Sequence, residues 1–190
     1  MTELTNVPPL AISDWDPGLA PIAAEMRGSP LNVHKLMANN PELLRAWWSF
    51  RMHVVSGGKL SQRHRELIVL RVAVLMKCWY EWASHVERGL KAGLSSREIE
   101  CIRLAIIPNE WDLADQLILR ATDECFVRHR IATATLAAMR AWFTAPELMD
   151  LIAIFGAYVI LGTTINTWGL ELDAAINVPD ETDENSWLHI

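Results

Sequence analysis

The chain has 190 residues, a length that holds one sizeable domain and excludes two of ordinary size. Apolar residues make up 51%, which supplies a core and excludes wholesale disorder. The formal net charge of −6, with no Lys/Arg tract, argues against a nucleic-acid surface.

Taken in order, residues 1–30 are punctuated by Pro8-Pro9, Asp16-Pro17-Gly18 and Ser29-Pro30. They read as an arm wrapping the domain, with a short helix from Ala20 to Met26. A helix over 31–39 breaks at Asn39-Asn40-Pro41, where Asn40 caps and Pro41 opens the next. That helix carries Leu43, Leu44, Trp47, Trp48 and Phe50 and ends at Gly57-Gly58. Ser61 caps an apolar helix over 62–76, and Lys77-Cys78 falls at a break. A motif helix follows, closed by Gly93 at its C′ position. Ser95-Ser96-Arg97-Glu98 is a capping box for a helix ended by Pro108. Helices over 113–128 and 132–143 come next, and Thr144-Ala145-Pro146-Glu147 opens the last, 147–168. No alternating run competes for a strand, and no internal repeat appears. The expectation is all-α: an arm over 1–30, a helical domain over 31–177 and an acidic flexible tail over 178–190.

Leu151 to Leu170 is twenty residues without a charge. Its polar second half, Gly156, Gly162 and the lack of a basic flank favour a core or subunit-interface helix over a membrane span. Residues 1–30 lack the regions of a signal peptide. Cys78, Cys101 and Cys125 are scattered and form no C-x-x-C, so no disulfide framework or cysteine zinc site is expected. The setting expected is cytoplasmic and reducing, with no nucleic-acid or membrane partner.

The chemistry concentrates in Cys78-Trp79-Tyr80-Glu81-Trp82-Ala83-Ser84-His85. On a helix, positions i, i+3 and i+7 share a face, which puts Cys78, Glu81 and His85 on one stripe. Glu81 and His85 at i, i+4 read as an exposed ion pair or as an acid/base pair. The rings of Trp79, Tyr80 and Trp82 favour the second by excluding water. Cys78 reads as a small buried hydrophobe or, near a helix N-terminus, as a reactive thiol. Arg71 is the one charge in the run Leu67 to Met76, with Glu66, Glu81 or a substrate carboxylate as candidate partners. His53, before the Gly57-Gly58 turn, is a further pocket candidate. The histidines show no metal-ligand spacing, and no phosphate loop is present, so neither metal nor cofactor is expected.

Three stretches resemble the carboxymuconolactone decarboxylase family: Leu60 to Ala73 (LSQRHRELIVLRVA), Cys78-x-Tyr80-Glu81-Trp82-x-x-His85, and Ala92-Gly93-Leu94-Ser95-x-x-Glu98-Ile99. The likeness extends to Pro8-Pro9-Leu10, Pro41-Glu42-Leu43-Leu44 and Leu119-x-Ala121-x-Asp123-Glu124. It implies the helical fold shared with AhpD-type alkylhydroperoxidases and assembly into dimers, trimers or hexamers. In the peroxidase branch Glu66, Cys78 and His85 match a glutamate, the first cysteine of C-x-x-C and a histidine. Glu81 replaces the second, peroxide-reacting cysteine, so the dithiol cycle is not available here. The lactone decarboxylases have a glutamate four residues before the histidine, as here, and a further histidine that this chain lacks. The reading it suggests is a lyase or isomerase in which His85 shuttles the proton and Glu81 is its partner or a second acid/base, with Cys78 and Glu66 as the further candidate catalytic residues. Tyr80, Trp82, Arg71 and His53 would face a small carbonyl or lactone acid. A single-thiol redox protein using Cys78 and a non-catalytic ligand-binding member are the alternatives.

Overall fold

The computed structural model describes residues 7–27, 29–104, 108, 111–174 and 176. The tail expected from Val178 and residues 105–107, before Pro108, lie outside the described residues. Among them the fold is all-α, as the patterning predicts, with no strand. The helices are α1 Ala20–Glu25, α2 Asn32–Met37, α3 Pro41–Met52, α4 Gln62–Leu75, α5 Trp79–Lys91, α6 Ser96–Arg103, α7 Leu113–Arg128, α8 Thr133–Met139 and α9 Ala145–Trp168.

The arm contributes two 3-10 turns, Ile12–Asp14 and Pro17–Leu19, and packs Trp15, Leu19 and Ile22 into the core. Capping signals act as read. Asn40 accepts from Leu43 N–H, Ser61 accepts from His64 N–H, and Ser95 with Glu98 completes a capping box. Thr144 and Glu147 form a second capping box that opens α9 at Ala145, two residues earlier than the sequence suggests.

α4 is the hub. Leu67, Ile68, Val69, Leu70, Val72 and Ala73 are all buried, and α5, α6, α7 and α9 pack around it. That explains why its sequence is apolar nearly all round rather than striped. α3 runs on into a π-helical turn, His53–Gly57, closed by Gly58 N–H donating to His53 O at 2.9 Å. Such turns widen a helix and often border functional sites. A Cβ on Gly58 would meet the Asp150 carboxylate at 2.9 Å, so a larger residue here would have to displace that side chain.

The junction between α4 and α5 is a Schellman motif. Cys78 N–H donates to Ala73 O at 2.8 Å and Lys77 N–H to Val74 O at 3.0 Å. The left-handed position that usually takes glycine is held by Lys77, with φ +52°. α9 is long and apolar enough to cross a membrane by length and composition. Here it lays Leu151, Ile154, Ala157, Tyr158 and Ile165 against the domain, and Met149, Ile152 and Ile160 face outward.

Candidate functional site

Five segments converge on one small cavity of about 40 Å³. α2 supplies Val33 and His34, α3 supplies Trp47 and Arg51, and the π turn supplies Val54 and Val55. α5 contributes Tyr80, Glu81, Ser84, His85 and Arg88, and α9 contributes Ala157, Tyr158 and Leu161. The polar groups on α5 share a face because 81, 85 and 88 follow helical spacing.

His85 is the centre. It is 3% exposed, and its Nδ1 lies 2.7 Å from Glu66 Oε2 on α4. Its Nε2 faces Tyr158 Oη at 3.2 Å and Arg88 Nη1 at 3.4 Å. A guanidinium only donates, so Nε2 accepts and Nδ1 carries the proton toward Glu66. Glu66 thus fixes the tautomer and aims a lone pair at the cavity, as a general base requires. Tyr158 also packs edge-on to the imidazole, with ring centroids 5.1 Å apart.

Glu81 lies 3.6 Å from His85 Nε2 and is 5% exposed. Burial pushes its carboxyl above the usual carboxylate range, while His85, Arg88 and Arg51 pull it back. One turn apart, the site therefore holds an imidazole and a carboxyl that burial biases toward its acid form.

Sequence reasoning did not reach the rest of the wall. Arg51 stacks over Trp48 at 4.7 Å, and burial pushes its guanidinium below its usual range. His34 is pushed down to about 3, first by burial and then by Arg51 and Arg88, so it is neutral. Among the described residues, His34 Nδ1 and Trp47 Nε1 are buried without a hydrogen-bond partner. Arg88 was within reach of the motif, being i+3 from His85. Tyr158, the one ring hydroxyl in the apolar run of α9, was a weaker signal. Nothing local marked His34, Trp47 or Arg51.

The remaining expected residues divide. Tyr80 lines the cavity and donates its hydroxyl to Asp173; burial first, and then Asp173, push the phenol above its usual range. Cys78 does not line it. Its backbone (φ −93°, ψ 86°) caps α5 instead of belonging to it, so the helical stripe begins one residue later. Its thiol is fully buried with Val33, Tyr80 and Ile165, and burial pushes it up to about 12, overriding nearby backbone N–H groups. Trp82 points the other way, fully buried in the main core. The aromatic walls are Trp47, Tyr80 and Tyr158. Arg71 is spent on Asp123 of α7, at 2.6 and 3.0 Å, and on Ile102 O at 3.1 Å. Five residues of helix place it roughly 140° around from Glu66, out of reach of the site. His53 lies outside the cavity and pairs with Asp150 at 2.7 Å. Among the described residues no three His, Cys, Asp or Glu side chains are grouped to hold a metal ion.

The helical hub, with a glutamate that holds a histidine on the next helix beside a small cavity, has the AhpD-like helical fold. The model of the carboxymuconolactone decarboxylase family matches residues 41–124, the stretch that holds Glu66, Glu81 and His85; together with the structural neighbours, this match supports that family. No curated protein matches the chain by sequence. Among solved structures it is similar to an uncharacterized peroxidase-related protein from Silicibacter sp. TM1040. The TM-score is 0.73 at 20% identity, covering 93% of this chain and 97% of that one. It is also similar to a peroxidase-related protein with an alkylhydroperoxidase AhpD core from Ralstonia eutropha JMP134. That match has a TM-score of 0.75 at 18% identity, covering 88% and 91%. A third match is the debrominase Bmp8, solved with 2,3,4-tribromopyrrole, with a TM-score of 0.73 at 14% identity, covering 88% and 91%.

Proposed function

We propose that the chain is a cofactor-independent, decarboxylase-like lyase or isomerase acting on a small carbonyl or lactone acid. The observation that carries this is the 2.7 Å contact from Glu66 to His85 Nδ1, which turns the Nε2 lone pair, met by Tyr158 and Arg88, toward a small cavity shared with Glu81. In the isomerase form, Nε2 takes a proton from carbon next to a carbonyl, and the electron pair moves into an enolate. Glu81 returns a proton at the new position, and the imidazolium then reprotonates Glu81. In the decarboxylase form, the bond to the departing carboxylate breaks, its electrons form the enolate, and Glu81 protonates the carbon. Tyr158, whose phenol burial pushes well above its usual range, stays a neutral hydrogen-bond donor.

Glu81→Gln and His85→Ala are each expected to abolish turnover with the helical circular dichroism unchanged. Full activity in both ends the reading. The single-thiol alternative gains nothing from Cys78, which is buried and held as the thiol. The pyrrole bound by the debrominase supports a small ring as a ligand for this fold, without carrying its chemistry across. The chain acts as a homo-oligomer, with the outward residues Met149, Ile152 and Ile160 of α9 as the contact. A monomer by light scattering at micromolar concentration contradicts this.

A further inference from the structure

The cavity has a neighbour. An outer groove of about 500 Å³ is lined by Glu25, Met26, Ser29, Trp48 and Met52, and opens to solvent. Leu31, His34, Arg51 and Arg88 line both spaces and form the partition between them. A cavity of about 40 Å³ holds a few waters at most, since one needs roughly 10–15 Å³. A lactone or a branched oxo acid does not fit without displacing the partition. Its long, unbranched members are the two arginines.

Those arginines are unusual for their burial. Arg51 touches the Trp48 ring and the Met52 sulfur at 3.7 Å, and Arg88 reaches His85 Nε2. Neither forms an ion pair with a carboxylate among the described residues, whereas Arg63 and Arg71 do; the part-buried Arg65 and Arg103 also form none, but neither lines the cavity or the groove. Beside them His34 Nδ1 and Trp47 Nε1 are orphaned, on residues that are 5% and 7% exposed. Two guanidiniums that face Glu81 without an ion pair, and an indole N–H with no acceptor, form a donor set suited to an anion.

We propose that Arg51 and Arg88 form a gate and an anion clamp: they swing aside to admit the substrate and then hold its carboxylate, with Trp47 Nε1–H as a further donor, while the reacting carbon sits inside against Glu81 and His85. This rests on the acid–base reading for the position of the reacting carbon, but the clamp itself is a binding site. Two guanidiniums stabilise a carboxylate against loss as carbon dioxide, so the clamped group is an anchor and reaction occurs at a neighbouring carbon. Arg88 Nη1 lies 3.4 Å from His85 Nε2, so that carbon is within a bond or two of the carboxylate. The substrates that fit are 2-oxo acids and lactones carrying a carboxylate next to the ring oxygen or carbonyl. Any longer apolar part extends into the outer groove beside Met26 and Met52.

The test is calorimetric binding of 5-oxotetrahydrofuran-2-carboxylate and of its neutral carboxamide to the full chain. The carboxylate is expected to bind at least tenfold tighter. Arg51→Gln and Arg88→Gln should each remove most of that preference and leave the carboxamide within twofold, which also shows that the variants fold. Arg51→Lys should retain part of it, and Trp47→Phe should weaken the carboxylate selectively. Glu81→Gln and His85→Gln should keep the preference whether or not either supports turnover, which separates failure of the clamp from failure of the chemistry. Equal binding of the two probes, no saturable binding of either, or arginine variants that keep the preference overturns the proposal.

Discussion

Glu66 on α4 holds His85 Nδ1 on α5 at 2.7 Å, and this contact between neighbouring helices orients the site more tightly than the 3.6 Å approach of Glu81 within α5. It predicts one tautomer. Nitrogen NMR of the imidazole in mildly alkaline buffer should show the proton on Nδ1. Glu66→Gln, whose amide can donate to Nδ1, should shift the population toward Nε2–H and lower any turnover by about 10²–10⁴. An unchanged tautomer contradicts the positioning role.

Glu81 gives a pH signature with a defined sign. Its folded carboxyl titrates above the ordinary value of 4.5, with burial as the main cause. Stability from this group is fully present below pH 4.5 and is lost as pH rises through the folded value. Glu81→Gln, neutral throughout, avoids that loss. The stability gain of the variant over the parent, measured by denaturant unfolding, should grow from pH 4.5 upward and then level off. A flat or shrinking gain means that the arginines and His85 outweigh burial.

Cys78 should be inert. Burial raises its thiol from 9.0 to about 12, which cuts the thiolate fraction at neutral pH about a thousandfold. Labelling by a maleimide or by a disulfide reagent should be at least that much slower in the folded chain than in denaturant. A rate matching the unfolded chain would restore the single-thiol redox reading.

Lys77 sits at φ +52°, where a side chain costs roughly 1–2 kcal/mol relative to glycine. Lys77→Gly should stabilise the domain by about 1 kcal/mol in chemical denaturation, less any entropy the glycine adds to the unfolded chain. Destabilisation would show that Lys77 makes a compensating contact.

The fold was legible because local signals agreed: Asn40, Ser61 and Ser95 cap helices, Gly93 ends α5, and the apolar run of α4 marks the hub. The Glu81–His85 spacing was legible for the same reason, since both lie within one helix. The stripe failed at Cys78 because a Schellman turn ends just there, and a lysine hid the usual glycine signal. Arg71 looked like a site residue because its partner, Asp123, is fifty-two positions away on another helix. Arg51, His34 and Trp47 were invisible for the converse reason: they line the cavity from α2 and α3, far from the motif in sequence. Spacing reads one helix at a time, and this site is built from several.

The most direct test is hydrogen exchange from carbon. Proton NMR in D2O would follow a panel of 2-oxo acids and carboxy-lactones incubated with the chain, with Glu81→Gln and with His85→Ala. The parent should wash out the proton next to the carbonyl of at least one compound, and both variants should lose that acceleration by a hundredfold or more. Exchange at the parental rate in both variants, or no exchange above buffer by the parent across the panel, contradicts an acid–base role for the enclosed pair.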